Sequence, residues 1–390
     1  MEVKQIYELV NSTTSEILGK TDLVAEDLSN VVDIGTEIFN ANAVDRYVGT
    51  LVDKVGKVVF VNRPYSGSVP SVLRDSWEYG SVLQKIACEL PEASINHSWD
   101  LQDGETYSQD TFKKPVVSNK FFNNKNTFEI TMSIADNQVK SAFNSVSELN
   151  GFLSMIQSTI EKSMTVKIDS LVMRTINNMI GQTFNAEFSS VTDDNYSAVT
   201  GIKAVNLLKL YNDKFGTTLT PDSAITNPEF IRFASFTMGL YIDRVSKLSS
   251  LFNIGGKDRF TAKDVMHLVT LSEFAQAADV YLQSETFHNE FTKLPNMEKI
   301  PYWQGSGKDY SFNKTSSIHV SIKNDNTTKE LNISGILAVI FDRDALGVCN
   351  ENKRVKTHYN NSGEFTNYWY KWDSSYFNDL NENFVVFYVQ

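Results

Sequence analysis

Residues 145–180, SVSELNGFLSMIQSTIEKSMTVKIDSLVMRTINNMI, contain the clearest helical pattern of the chain. Apolar residues recur mostly in steps of three or four, which places them on one face of a helix of about 35 residues, roughly 50 Å long. Ser145 and Glu148 fit a capping box that would begin the helix. The pattern predicts a long helix, buried along one side, that forms the spine of a flat domain. The apolar positions are Leu149, Phe152, Leu153, Ile156, Ile160, Met164, Ile168, Leu171, Val172, Ile176, Met179 and Ile180.

The residues before this helix, 51–135, are typical of β-structure. A strand is predicted over Val55–Val61, and a returning strand over Phe128–Met132, where apolar and polar residues alternate. The pattern favours a long two-stranded excursion, which alone is at best marginally stable in water. It must therefore pack either on another subunit or on its own domain. Between the strands lie aromatic residues without periodic spacing, and these are the predicted inter-subunit contacts: Trp77, Tyr79, Trp99, Tyr107 and Phe112.

The first 40 residues form a separate acidic zone, with eight acidic and two basic side chains. Apolar residues recur at Ile6, Leu9 and Val10, and again over Leu28–Val32. This spacing predicts short amphipathic helices. They can pack on their own domain or act as an arm that reaches a neighbour, and the spacing does not decide between the two.

The residues after the long helix alternate between helices and strands. Asn227-Pro228-Glu229 predicts a helix start, with a cap, a proline at the first position and an acid in the first turn. The apolar run Gly335–Phe341 predicts a central strand, and the last 35 residues return to a β pattern. The mixture predicts an α+β protein with interleaved domains.

Composition excludes several classes of protein. The 390 residues are 41% hydrophobic and 21% charged, as expected for a globular chain of two or three domains. The net charge of −11 leaves no basic footprint for reading nucleic-acid sequence. Cys88 and Cys349 are far apart, which argues against a disulfide framework and a thiolate metal site. Met1–Gln5 lacks a secretory pattern, and every apolar run is shorter than the roughly 20 residues that span a bilayer.

No enzyme motif is complete. Gly305-Ser306-Gly307-Lys308-Asp309 resembles the end of a phosphate-binding loop, but it lacks the earlier glycine and the Ser or Thr that holds magnesium. The five histidines are scattered, and His288 with Glu290 falls short of the three ligands of a catalytic zinc. No Gly-X-Ser-X-Gly motif is present. The sequence therefore predicts no catalytic, cofactor-binding or metal-binding residue.

Several segments resemble major capsid proteins of small short-tailed phages of Gram-positive hosts, which have the Hong Kong-97-type fold. The resemblance lies in the combination and order of the segments along nearly the whole chain. It implies an N-terminal arm at 1–50, an extended β-hairpin loop (E-loop) at 51–135, a peripheral domain at 136–185 and 343–390, and an axial domain at 186–342. The segments are LVDKVGKVV at 51–59, LFNIGG at 251–256, VYLQSETFH at 280–288 and IFDRDAL at 340–346.

The resemblance implies a structural protein that assembles with copies of itself. Hexamers and pentamers would build an icosahedral or prolate phage head around double-stranded DNA, with scaffolding and portal proteins as further partners and no membrane. The expected location is the virion, after assembly in the bacterial cytoplasm. Another branch of this fold cross-links its shells through bonds between Lys and Asn side chains. No pattern in this sequence marks Lys113 or Lys114 as part of such a pair. Two alternatives stay open: the shell of an encapsulin-type nanocompartment, and a soluble enzyme.

Overall fold

The computed structural model of this chain describes residues 3–19, 24–41, 43, 46–47, 50–51, 54, 69–74, 83–91, 93–107, 110, 112–142, 145–191, 193–283, 297–303, 311–324 and 327–390. Its helices are α1 (Val3–Leu18), α2 (Val31–Asn40), α3 (Asp136–Ala142), α4 (Val146–Glu187), α5 (Leu207–Phe215), α6 (Pro221–Ala224), α7 (Pro228–Val245), α8 (Ser272–Gln283) and α9 (Phe312–Thr315). Two short 3-10 helices cover Pro70–Val72 and His97–Trp99.

The described strands are β1 (Leu73–Arg74), β2 (Leu83–Cys88), β3 (Val117–Phe122), β4 (Lys125–Ala135), β5 (Ala204–Asn206), β6 (Met266–Leu271), β7 (Met297–Ile300), β8 (Ile318–Asn324), β9 (Thr327–Ile333), β10 (Ile336–Asp342), β11 (Leu346–Asn360), β12 (Phe365–Asn378) and β13 (Phe384–Tyr388). The chain divides into two compact units. One contains residues 1–76, 125–172 and 348–375, and the other contains 77–124, 173–347 and 376–390.

The first unit is built on a four-stranded sheet of order β1-β11-β12-β4. β4 and β12 pair antiparallel from Ala135 opposite Phe365 to Lys125 opposite Ser375. Tyr368, Tyr370 and Trp372 alternate along β12 and are fully buried. The returning strand predicted at Phe128–Met132 is therefore a strand, and its described partner is β12, while Val55–Val61 lies outside the described residues.

The second unit is built on a five-stranded sheet of order β5-β13-β10-β6-β7. β10 lies at its centre, antiparallel to both β13 and β6, and all seven of its residues are buried. The central strand predicted from Gly335–Phe341 is thus confirmed. A Cβ at Gly335 would lie 1.9 Å from the carbonyl oxygen of Val389, and the residue has φ +77°, so the turn into this strand requires glycine. The same unit contains the β8–β9 hairpin and the β2–β3 ribbon.

The long helix predicted from residues 145–180 is confirmed as α4, which has 42 residues. The Glu148 amide donates to the Ser145 side chain, as expected at the N-cap. Every apolar position predicted to lie on the inner face is buried. The 3.6-residue period therefore identified both the element and its buried side.

Two further helix predictions are confirmed. The side chain of Asn227 accepts the amide of Phe230 and caps α7, with Pro228 at the first position. The N-terminal apolar residues lie on α1 and α2 or just before α2, and Ile6, Val10 and Val31 are buried within this chain, whereas Val32 is 47% exposed. The boundaries proposed for arm, E-loop, peripheral and axial domains stay a prediction.

Candidate interaction surface

The segment that joins β2 to β3, residues 89–116, is uncovered. Every residue in it whose side chain the structure describes is exposed. Trp99 is 99% exposed and Phe112 is 84% exposed. Soluble monomers rarely expose large contiguous apolar patches, and such patches mark interaction sites. The exposed apolar side chains of the segment are Leu90, Ile95, Trp99, Leu101, Tyr107, Phe112 and Val116.

Short polar contacts hold this segment locally. The Asn96 side chain accepts the amide of Ser98 at 2.8 Å, and the Tyr107 hydroxyl accepts the amide of Gln102 at 3.1 Å. These bonds shape turns without burying any of the segment's large side chains that the structure describes. The aromatic surface is therefore available to another molecule.

The β2–β3 ribbon below this segment has two lysines on its inner face and several apolar side chains on its outer face. Lys85 and Lys120 lie opposite each other on the half-buried inner face. Ile86, Val117 and Phe121 lie on the outer face and are 68%, 57% and 62% exposed. A ribbon normally turns its apolar side inward, so the outer face extends the exposed apolar surface of residues 89–116.

A cluster of charges lies under the inner face of the ribbon. Lys85 Nζ lies 2.8 Å from Asp379 Oδ2 and 3.1 Å from Glu382 Oε1. Lys120 Nζ lies 3.1 Å from the other carboxylate oxygen of Asp379. The Arg259 Nε atom lies 3.5 Å from Glu382 Oε1, which adds a third cation.

Within this cluster, Asp379 and Lys85 stabilise each other's charged forms. Burial alone would raise the pKa of Asp379, but hydrogen bonds and charge from Lys85, with further bonds from Asn381 and Lys120, lower it below its ordinary value. Burial alone would lower the pKa of Lys85, but its hydrogen bond to Asp379 and the charge of Glu382 raise it. Asp379 and Lys85 therefore both favour their charged forms.

Three of the five predicted contact residues, Trp99, Tyr107 and Phe112, lie in the exposed segment. Trp77 and Tyr79 lie outside the described residues. That these side chains touch a neighbouring subunit stays a prediction. Ile86, Phe121 and the charge cluster were not predicted from the sequence. The alternation of lysines with apolar residues in LQKIAC and VSNKFF was the available signal, but alternation does not tell which face is buried.

Other functional chemistry is sparse in the part of the chain that the structure describes. No group of three or more His, Cys, Asp or Glu side chains is arranged there to hold a metal ion. Cys88 is exposed and Cys349 is buried. Among the described residues, none of the helices combines the length and the apolar character that crossing a bilayer requires.

Comparison with known families gives one match along nearly the whole chain. Residues 10–388 match the model of a family described as Phi29-like phage major capsid protein. A major capsid protein of Bacillus phage GA-1 is 23% identical over 168 residues, which are 42% of this chain. The aligned part is 34% of that relative's length.

Solved structures share the fold at low sequence identity. A chain of the capsid structure of Staphylococcus phage Andhra has a TM-score of 0.50 and 10% identity, over 84% of this chain and 86% of its own. A chain from the structure of the head fiber and inner core protein gp22 of native bacteriophage P68 has a TM-score of 0.51 and 9% identity, over 85% and 86%. The predicted α+β fold of the Hong Kong-97 type is confirmed.

Proposed function

The chain belongs to the family of Phi29-like phage major capsid proteins, and on that premise we propose that it forms the shell of a phage head by binding copies of itself through residues 83–122. The role is structural, and no catalytic step is part of it. One observation carries the proposal: the β2–β3 ribbon and residues 89–116 expose apolar side chains on a surface that contributes nothing to the protein's own hydrophobic core as far as the structure describes it.

Exposed aromatic surface gains free energy when a partner covers it. Each large aromatic side chain can bury about 150–250 Å². Trp99 and Phe112, together with the apolar residues around them, can thus supply much of the roughly 800 Å² that one partner buries in a standard protein interface. Aromatic side chains also tend to be the residues that dominate binding energy at interfaces. Repetition of this contact between copies would build a shell.

The number and kind of partners are part of the proposal. Hexamers and pentamers of the chain would form the head, with scaffolding and portal proteins as partners during assembly in the bacterial cytoplasm. The finished shell would enclose double-stranded DNA in the virion. A net charge of −11 suits a wall along which DNA moves, because tight phosphate binding requires clustered lysines and arginines.

An encapsulin-type shell was the principal alternative for this fold. The family match and the GA-1 relative both favour the phage protein over the nanocompartment. A soluble enzyme is a weaker alternative, because the family that matches residues 10–388 is one of phage capsid proteins.

The proposal is tested by removing exposed apolar surface without touching the core. Trp99→Ser combined with Phe112→Ser should leave the melting temperature of the unassembled protein close to that of the parent. When the variant is co-expressed with the scaffolding protein, sedimentation should show small species instead of shells. Asp103→Ser combined with Asp110→Ser is the matched control in the same segment and should still assemble. Full-size shells from the Trp99 and Phe112 variant, or loss of its melting transition, would contradict the proposal.

A further inference from the structure

We propose that the charges beneath the β2–β3 ribbon form a clip that fixes the ribbon's orientation and so presents its apolar outer face and residues 89–116 for assembly. We define the clip as Lys85, Lys120, Asp379 and Glu382. The inference rests on the proposed function for its last step only, the use of the presented surface in assembly. The attachment of the ribbon by the clip is independent of that step.

The ribbon lacks the usual means of attachment, a buried apolar face. Among the described residues from 83 to 122, none is a buried hydrophobic side chain. The Phe122 and Phe377 rings lie 5.3 Å apart at the base of the ribbon, and Lys257 pairs with Glu89 at its far end. Between these two contacts, the inner face is attached through its lysines. The orientation of the ribbon therefore depends on charge more than on hydrophobic packing.

Asp379 joins the two strands as well as holding them. Lys85 and Lys120 are direct partners across the ribbon, and like charges in such positions destabilise a pair of strands. Asp379 is 3% exposed and gives one carboxylate oxygen to each lysine. It therefore turns a repulsive pair into an attractive one. Loss of this single carboxylate would loosen the attachment of the ribbon and also weaken the pairing of its strands.

The base of the clip is fixed by the backbone. The amide of Asp379 donates to the carbonyl of Ala345 at 2.7 Å, and the amide of Asn381 donates to the Asp379 carboxylate at 3.1 Å. Lys85 also donates to the carbonyl oxygen of Asp344 at 2.9 Å. These bonds hold the acid against the turn that follows the central strand β10. The clip thus links the ribbon to the most buried sheet of its unit.

In the clip the carboxylate of Asp379 is buried, while the side chains of Lys85 and Lys120 are 25% and 38% exposed. Removal of the buried partner should be more damaging than replacement of the whole set by apolar residues, because it leaves the two opposed lysines without the carboxylate between them. Asp379→Asn should therefore loosen the ribbon strongly. Lys85→Met with Lys120→Met and Asp379→Leu should loosen it far less. This contrast separates a clip from an incidental contact, since an incidental contact would give the same small effect in both variants.

The experiment is hydrogen–deuterium exchange of the backbone amides in the unassembled full-length protein. We expect Asp379→Asn to speed exchange in residues 83–88 and 117–122 by at least about tenfold, with β10 unchanged. Lys120→Met should speed exchange in the same residues by a smaller factor. This second variant keeps the test decisive if the Asp379→Asn protein does not fold. Asp243→Asn, which breaks the exposed pair of Asp243 with Lys263, is the control and should change neither region.

Assembly with the scaffolding protein completes the test. A loosened ribbon with fewer shells supports the clip. Unchanged ribbon exchange in Asp379→Asn overturns the attachment by the clip. Normal shells from a protein whose ribbon is loosened overturn the clip's role in assembly. The Trp99→Ser and Phe112→Ser variant leaves the clip intact, so shell formation by that variant would contradict the proposed function and not the attachment by the clip.

Discussion

The amide nitrogen of Glu148 lies 3.2 Å from the side-chain oxygen of Ser145, and this hydrogen bond marks where the 42-residue helix α4 begins. The bond satisfies one of the amide groups that lack a partner in the first turn of a helix. A single side chain outside the helix thus fixes the first turn of the longest described element of the protein.

Loss of this cap should destabilise the protein measurably. We expect Ser145→Ala to lower the free energy of unfolding by about 1 kcal/mol, since the Glu148 amide loses its acceptor. Ser170→Ala, an exposed position on the same helix, should change it by less than about 0.5 kcal/mol. Urea unfolding of the unassembled protein measures both. Equal effects of the two substitutions would mean that Ser145 does not act as a cap.

The buried face of α4 should be far more sensitive than its exposed face. Ile160 is fully buried, so Ile160→Ala should cost about 2–5 kcal/mol through lost apolar burial and the cavity that remains. Val166 is 65% exposed, and Val166→Ala should cost less than about 0.5 kcal/mol. Thermal and urea unfolding of both variants test the assignment of the two faces. A soluble Ile160→Ala protein with parental stability would contradict it.

Two glycines should respond in opposite directions to the same substitution. Gly335→Ala should destabilise the protein by more than about 1 kcal/mol, because φ is +77° and the new Cβ would collide with the carbonyl oxygen of Val389. Gly151 lies in the first part of α4, and no atom beyond its chain neighbours and the adjacent helix backbone lies within 4 Å of an added Cβ. Gly151→Ala should stabilise the protein by about 0.4–1 kcal/mol, through a higher helix propensity and a less flexible unfolded chain. Paired urea unfolding curves compare the two.

A buried carboxylate in the four-stranded sheet should make stability depend on acid pH. Burial alone would raise the pKa of Asp373, but hydrogen bonds from Arg354, Thr127 and Asn352 lower it from 3.8 to about 2. The folded state therefore binds this proton less readily than the unfolded state does. The stabilisation is complete above pH 3.8 and is lost as the pH falls from there toward 2.

The pH dependence should disappear when the carboxylate is removed. We expect Asp373→Asn to be less stable than the parent at pH 6 and the difference to shrink as the pH falls below 3.8. Asp103→Asn, in the exposed segment, should match the parent throughout. Urea midpoints between pH 6 and pH 2.5 measure the difference. A gap that stays constant over this range would show that Asp373 is not the responsible group.

The sequence by itself determined the elements whose pattern is local. The steps of three and four residues from Leu149 to Ile180 predicted both α4 and its buried face. Asn227-Pro228 predicted the start of α7, and the apolar run after Gly335 predicted the central strand. These predictions succeeded because the period of a helix and the chemistry of a cap are set by residues within one or two turns of each other.

Only the tertiary structure decided which strands pair and which face of the ribbon is covered. β4 pairs with β12, whose residues lie more than 200 positions away in sequence. The alternation in LQKIAC does not tell which face is covered. Asp379, which is 294 residues from Lys85, draws the lysines to the inner face. Local patterns do not carry such information, because the position of a distant charge depends on the path of the whole chain.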